Sequence, residues 1–269
     1  MTLRVSPSSL AERYLTAWHS RHPNATHVFA DMRDAAGRTS CERLASIVPR
    51  GRTVLDLACG AAELLALIDE TTAPRLRLGV DLCLPELARA AAQNPSVAFS
   101  CARAQSLPFA DRSIDVVVCH MALMLMDDPD AVLRECRRVI RPGGSLGVVA
   151  NRPTEPDDVV KYVLSAVRDA LRNGDIARRP PPLGDARTHT AHDLATLVGS
   201  FFTDVTVETF TVSRDVPKEE LWSYMVQSIY GLDAIPDRDG ASILADLALP
   251  AMVSWTVPMV QIHARVPVA

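Results

Sequence analysis

The run from Val54 to Ile68, VLDLACGAAELLALI, leaves little freedom in local structure. Val54, Leu55 and Leu57 put apolar side chains on both sides of a strand, the pattern of a strand buried on both faces. Ala58, Cys59, Gly60, Ala61 and Ala62 are all small, so the backbone there can approach a ligand with no bulky side chain in between. A helix is expected from Glu63, and its first N–H groups, which have no intrahelical acceptor, can face a polar or anionic group. Strand, tight turn and helix in this order form the unit that holds nucleotide cofactors. The dinucleotide pattern G-x-G-x-x-G is not met, because Gly60 is the only glycine and Ala58 and Ala62 occupy the flanking small positions.

The next segment repeats the alternation. LRLGVDLCLPELARAAA predicts a strand over 76–81 ending at Asp81 and a helix over 85–93. An acid at a strand end, one half-unit after the first turn, can accept hydrogen bonds from the vicinal hydroxyls of a ribose. Further strands are expected at 97–101, 114–119 and 145–150, with a helix at 128–139. This alternation implies an α/β fold, a doubly wound, mostly parallel sheet of seven strands with helices on both faces. Before it lie helices predicted from Leu10 to Trp18 and from Ser40 to Val48. After Asn151 the pattern changes to a helix at 156–173, the loop RRPPPLGD at 178–185 and a helix at 191–199. Strand character returns at 204–213 and at 256–266, with helices at 217–230 and 239–249 between them. The predicted division is therefore an N-terminal helical lid (1–49), a core (50–150), a helical cap insertion (151–203), and a C-terminal part of the core sheet with its own helical insertion (204–269).

Composition narrows the function. A net charge of −4 and the absence of Lys/Arg runs interleaved with aromatics argue against nucleic acid as a partner. No uncharged apolar stretch approaches the roughly 18 residues a membrane span needs, and residues 1–20 lack a signal-peptide core. Six cysteines without a C-x-x-C pair read as reduced thiols, so a cytoplasmic protein is expected. Oligomeric state is left open.

Several motifs together point to one family. VLDLACG at 54–60, VD at 80–81, LPFADRSID at 107–115 and RPGG at 141–144 occur in the order and spacing of the class I S-adenosylmethionine-dependent methyltransferases of the small-molecule type, which residues 50–150 resemble. The resemblance implies S-adenosylmethionine as cofactor, a Rossmann-like sheet whose last strand is antiparallel, and RPGG as the turn before strand five. It also assigns roles. Asp56 would reach the methionine ammonium, although a structural strand-end carboxylate is the alternative. Ala58 and Gly60 would form the turn under the cofactor, and Asp81 would hold the ribose. Related proteins often carry an acid that accepts from the adenine amino group where this chain has Ala102-Arg103-Ala104. Arg103 has only donors. Adenine would then rest on the backbone of Ala104 and Gln105, on stacking by Leu82, or on Arg103 over its ring.

Cys119 and His120 follow strand four, where the family's loop passes the methyl group. His120 is the candidate catalytic base, on its near-neutral pKa and position, against a histidine merely hydrogen-bonded to backbone. Met121, Met124 and Met126 fit either core or pocket lining. His19, His22 and His27 sit in a segment that reads as a polar loop, as a lid over the cofactor, or less readily as a zinc site, since no cysteine or carboxylate completes a tetrahedral set. The 178–185 loop reads as a surface connection or as a substrate-site lid. The expectation is methyl transfer to a small, hydrophobic metabolite, in the manner of secondary metabolism. The alternative is a methyltransferase-fold protein that binds or scaffolds, or runs a non-methylating reaction. An NAD oxidoreductase would need the missing glycine pattern.

Overall fold

A computed structural model of the chain describes residues 9–23, 25–152, 158–173 and 180–268. Seven strands form one sheet: β1 (Thr53–Leu57), β2 (Leu76–Asp81), β3 (Ala98–Cys101), β4 (Ile114–His120), β5 (Ile140–Asn151), β6 (Thr203–Pro217) and β7 (Met252–Arg265). Their order is β3-β2-β1-β4-β5-β7-β6. The first five run parallel, and β7 is antiparallel to both β5 and β6. This is the seven-stranded, mostly parallel α/β sheet that the strand pattern predicts.

Period-two alternation decides which face each side chain joins. In β4, Val117 and Cys119 enter an apolar cluster with Leu133, Leu194 and Ile262, whereas Val116 and Val118 enter another with Leu44, Ile68 and Met259. The first cluster lies under α5 (Pro129–Val139) and α7 (Ala191–Gly199); the second lies under α2 (Ser40–Ala45), α3 (Glu63–Thr72), α6 (Asp158–Asn173) and α8 (Leu221–Ser228). α4 (Leu84–Gln93) buries Leu87 and Ala90 against Leu65 and Val97.

Several predicted boundaries move, three of them as follows. β5 starts at Ile140, so RPGG lies inside the strand rather than as a turn before it. The pairing of β4 with β5 slips between Ile114 and Val116 to accommodate it, and a Cβ on Gly144 would stand 2.5 Å from the Asp115 carbonyl oxygen. α2 ends at Ala45, earlier than predicted. The segment predicted as a helix over 217–230 becomes a 3-10 turn (Lys218–Glu220) and α8, which stops at Ser228 and frees Ile229 and Tyr230 from the helix.

Two N-terminal helices are fixed by reciprocal caps. In α1 (Leu10–Arg21) the Ser9 hydroxyl accepts from the Glu12 N–H and the Glu12 carboxylate accepts from the Ser9 N–H; Thr39 and Glu42 do the same for α2. Such a cap stabilises a helix start by about 1 kcal/mol. Gly147 lets α2 lie close on β5, since a Cβ there would meet Ile47 at 2.3 Å and Leu44 at 2.9 Å. α1 is tied down by Arg21–Asp233 at 2.9 Å and Arg103–Glu12 at 2.8 Å.

Candidate active site

Strand order reverses between β1 and β4, and ligands in open α/β sheets bind in the crevice beyond the carboxyl ends at such a point. A cavity of about 680 Å³ opens there. Its floor is the turn after β1. The backbone is left-handed at Ala58 (φ 58°), Gly60 (φ 50°) and Ala62 (φ 67°), so two alanines adopt the conformation that glycine ordinarily supplies. No side chain caps α3 at Ala62. Its first N–H groups are left for backbone or a ligand.

Asp81 fastens this turn to β2. Its Oδ2 accepts from the Gly60 N–H at 2.9 Å and its Oδ1 from the Cys83 N–H at 2.8 Å. Burial raises its pKa, and the N–H groups of Cys83, Gly60 and Leu82 pull it back. Each oxygen keeps lone pairs for further donors. Asp56 is only 2% exposed, and its carboxylate has no hydrogen-bond partner among the described residues. Desolvation, with the charge of Asp81 added, raises its pKa well above the usual carboxylate range. A cation beside it would reverse that shift.

The roof comes from distant parts of the chain. Trp18 stacks on His22 at 4.4 Å and meets Tyr230 edge-on at 4.5 Å, and His19 Nε2 lies 3.2 Å from the Tyr230 hydroxyl. Burial, with His22 and Arg89 nearby, lowers the His19 pKa to about 4. Among the described residues no group of His, Cys, Asp and Glu could hold a metal ion; Asn24 and the side chains of Thr26 and His27 lie outside the described residues. The same cavity is lined by Met124, Leu164, Pro181, Leu183, Val257 and Trp255, with Asn151, Arg152 and His189 among its polar members, and all three methionines of the post-β4 segment reach it.

His120 lines the same cavity. It continues the Val116–Val118 face of β4 and so meets α2, where its Nε2 lies 2.9 Å from the Ser40 hydroxyl and 3.7 Å from the Cys41 sulfur. The ring borders an interior space, so it is desolvated although not covered, and its pKa falls to about 4. The Cys41 thiol is pushed up to about 12 by burial and by Glu63, Asp56 and Glu42.

Asp56, Ala58, Gly60, Asp81, Leu82, Ala104, Gln105 and His120 all line this one cavity. Two expected residues do not. Cys119 points to the opposite sheet face from His120, 1% exposed in the cluster under α5, with burial pushing its thiol up to about 12. Arg103 turns away to donate from Nε to Glu12, and it is Glu12 that borders the cavity. Glu12, Trp18, Ser40, Tyr230 and Trp255 are site residues that no local pattern marks. Glu12 had only its place three residues after Ser9, a helix-start signal.

Residues 55–148 match the family described as "Methyltransferase domain". This segment is a class I S-adenosylmethionine-dependent methyltransferase domain. Among curated relatives, the chain is 30% identical over 145 residues to malonyl-[acyl-carrier protein] O-methyltransferase of Marinomonas sp. (strain MWYL1), covering 52% of this chain and 53% of that one. It is 32% identical over 122 residues to the ubiquinone/menaquinone biosynthesis C-methyltransferase UbiE of Hahella chejuensis, covering 40% and 47%. The chain thus spans about half the length of these relatives. Among solved structures, the methyltransferase domain and its flanking segments superpose on the [4+2]-cyclase SpnF with a TM-score of 0.60, covering 98% of this chain and 99% of that one at 19% identity, a likeness of fold. No helix among the described residues is long and apolar enough to cross a membrane.

Proposed function

We propose that this chain transfers the methyl group of S-adenosylmethionine to a small, largely apolar acceptor. The observation that carries the reading is that one cavity is lined both by Asp56 and Asp81, beside an uncapped helix start, and by methionines, Leu164 and Trp255. The floor fits the cofactor by its donor set: unused lone pairs on Asp81 for ribose hydroxyls, and in Asp56 a buried carboxyl without a partner among the described residues for an ammonium. Leu82, Ala104 and Gln105 border the same floor and would flank adenine. S-adenosylmethionine, when bound, supplies a methyl group on a sulfonium, a leaving group that needs no protonation.

The chain's own task is then to place the acceptor in line and exclude water. Trp18, His19, Tyr230, Pro181 and Leu183 line the cavity and would cover a bound acceptor. In this reading residues 1–49 serve as a lid and 151–203 as a cap over the acceptor. The two curated relatives bear O- and C-methyltransferase names, which supports methylation and leaves the acceptor atom open. The six free cysteines support a reducing, cytoplasmic setting.

Calorimetric titration with S-adenosylmethionine, S-adenosylhomocysteine and NAD tests the reading. Binding of the first two and not of NAD is expected, followed by transfer of labelled methyl to members of an apolar acceptor panel. Absence of donor binding by the folded chain would refute it. Tight donor binding without transfer across the panel would favour the non-methylating use of the fold.

A further inference from the structure

The imidazole of His120 has two nitrogens in different surroundings, and Ser40 decides between them. Ser40 is fully buried, at the first position of α2, with the Thr39–Glu42 capping box holding that turn. Among the described residues its hydroxyl has one partner, His120 Nε2, at 2.9 Å. A serine hydroxyl is both donor and acceptor, and a neutral imidazole carries one proton on one nitrogen. Were Nε2 protonated, it would donate to Ser40, and the buried Ser40 O–H would have no acceptor among the described residues. With Nε2 bare, the hydroxyl donates to it and nothing is left over. The Cys41 thiol, 3.7 Å from the same nitrogen and kept protonated by its surroundings, adds a second donor aimed at Nε2. Nδ1 has no partner among the described residues and is not among the buried unsatisfied atoms, so it opens onto the cavity that His120 lines.

We infer that Ser40 is a positioning residue that locks His120 as the Nδ1–H tautomer, so that His120 offers the acceptor a hydrogen-bond donor instead of a base. This rests on the cavity being the methyl-transfer site. It adds a specificity: the acceptor group facing His120 is an oxygen that accepts a hydrogen bond, a carbonyl, carboxylate or phenolate, and an amine N–H or a neutral hydroxyl offering its proton would not be matched. Burying an unpartnered hydroxyl disfavours the other tautomer by about 5-fold to about 150-fold, equivalent to about 1–3 kcal/mol.

Long-range ¹H–¹⁵N correlation spectra of the ¹⁵N-labelled full chain read the tautomer directly, with the His120 ring assigned by its disappearance in His120→Gln. The expected spectrum has a protonated Nδ1 and an unprotonated Nε2, with the Nε2–H form below about one part in five. In Ser40→Ala the Nε2–H population should rise. A protonated Nε2 in the unmodified chain would overturn the inference, and so would a folded Ser40→Ala variant with unchanged populations. If Ser40→Ala does not fold, the spectrum of the unmodified chain still decides the tautomer. Titration of the same sample with S-adenosylhomocysteine separates the two ideas: no binding, with Nδ1 protonated, would reject the methyl-transfer reading while the tautomer stands.

Discussion

Replacing Asp81 by alanine removes a carboxylate with two separable tasks. In the free protein it accepts the Gly60 and Cys83 N–H groups at 2.9 and 2.8 Å, holding the turn after β1 to the end of β2. With cofactor bound, its remaining lone pairs would take ribose hydroxyls. A hydrogen bond to a charged group contributes about 1.5–3 kcal/mol, so affinity for S-adenosylhomocysteine, which keeps the ribose and lacks the methyl, should fall about 10-fold to about 150-fold. Thermal denaturation with and without this ligand reads both tasks. At a ligand concentration of 100 times Kd, binding stabilises the unmodified protein by about 2.7 kcal/mol; at the same concentration the variant should gain only about 1.4 kcal/mol if affinity drops 10-fold and about 0.3 kcal/mol if it drops 150-fold. The free variant should also melt lower, because two backbone N–H groups lose a charged acceptor. Asp81→Asn should resemble alanine in the free protein, since its amide nitrogen must confront either the Gly60 or the Cys83 N–H, donor against donor. A folded Asp81→Ala protein with undiminished ligand stabilisation would refute the ribose assignment.

Asp56→Asn should stabilise the free protein and weaken S-adenosylhomocysteine. A carboxyl whose folded pKa is raised contributes stability below its unfolded pKa and loses it as pH rises through the folded value, so the advantage of the variant over the unmodified chain in melting temperature should grow from acid toward neutral pH. A constant difference across that range would contradict the burial argument. Gly184→Ala should loosen the cavity wall at Leu183, because at φ +67° a Cβ would stand 1.9 Å from the Met124 carbonyl oxygen and must push Leu183 and its neighbours away. Overpacking of this kind costs about 1–3 kcal/mol, so an unchanged melting temperature would show that the loop is not seated there.

The core of the fold was legible because its signals are local. The apolar runs at 54–57, 76–81 and 114–119 each fit inside one strand, and a small residue or an acid marks where the first two end. The floor of the cavity was readable for the same reason, since Asp56, Gly60 and Asp81 are set by their place on those strands. The rest depends on pairings that no window of sequence contains. Ser40 and His120 are 80 residues apart, Glu12 and Arg103 are 91 apart, and His19 and Tyr230 are 211 apart. Cys119 shows a finer limit. Its place beyond the middle of β4 was readable, but the face it turns to is fixed by which helix packs on which side. RPGG carried a turn signature, yet a slip in register let the two glycines continue the strand.

The turn after β1 shows how a departure from the glycine pattern can leave the backbone unchanged, and the two alanines make a quantitative test. Each left-handed alanine costs about 1–2 kcal/mol, which glycine would relieve, while the greater freedom of glycine in the unfolded chain takes back about 0.4–1 kcal/mol. At Ala58, half-buried on the cavity wall, little else changes, so Ala58→Gly should stabilise the protein by about 0.5–1 kcal/mol. Ala62 has the same handedness but is 0% exposed, packed among Cys59, Leu65, Leu87, Ala90 and Val97. Removing its methyl forfeits about 0.8 kcal/mol of burial, and the cavity left behind adds to the loss. Ala62→Gly should therefore come out near neutral or below. At about 2 °C per kcal/mol for a chain of this length, scanning calorimetry should rank Ala58→Gly above the unmodified protein by about 1–2 °C, with Ala62→Gly level with it or lower. If Ala62→Gly gained as much as Ala58→Gly, burial of the Ala62 methyl would not be contributing to the turn. If Ala58→Gly lost stability, the left-handed conformation at that position would not be a strain the protein carries.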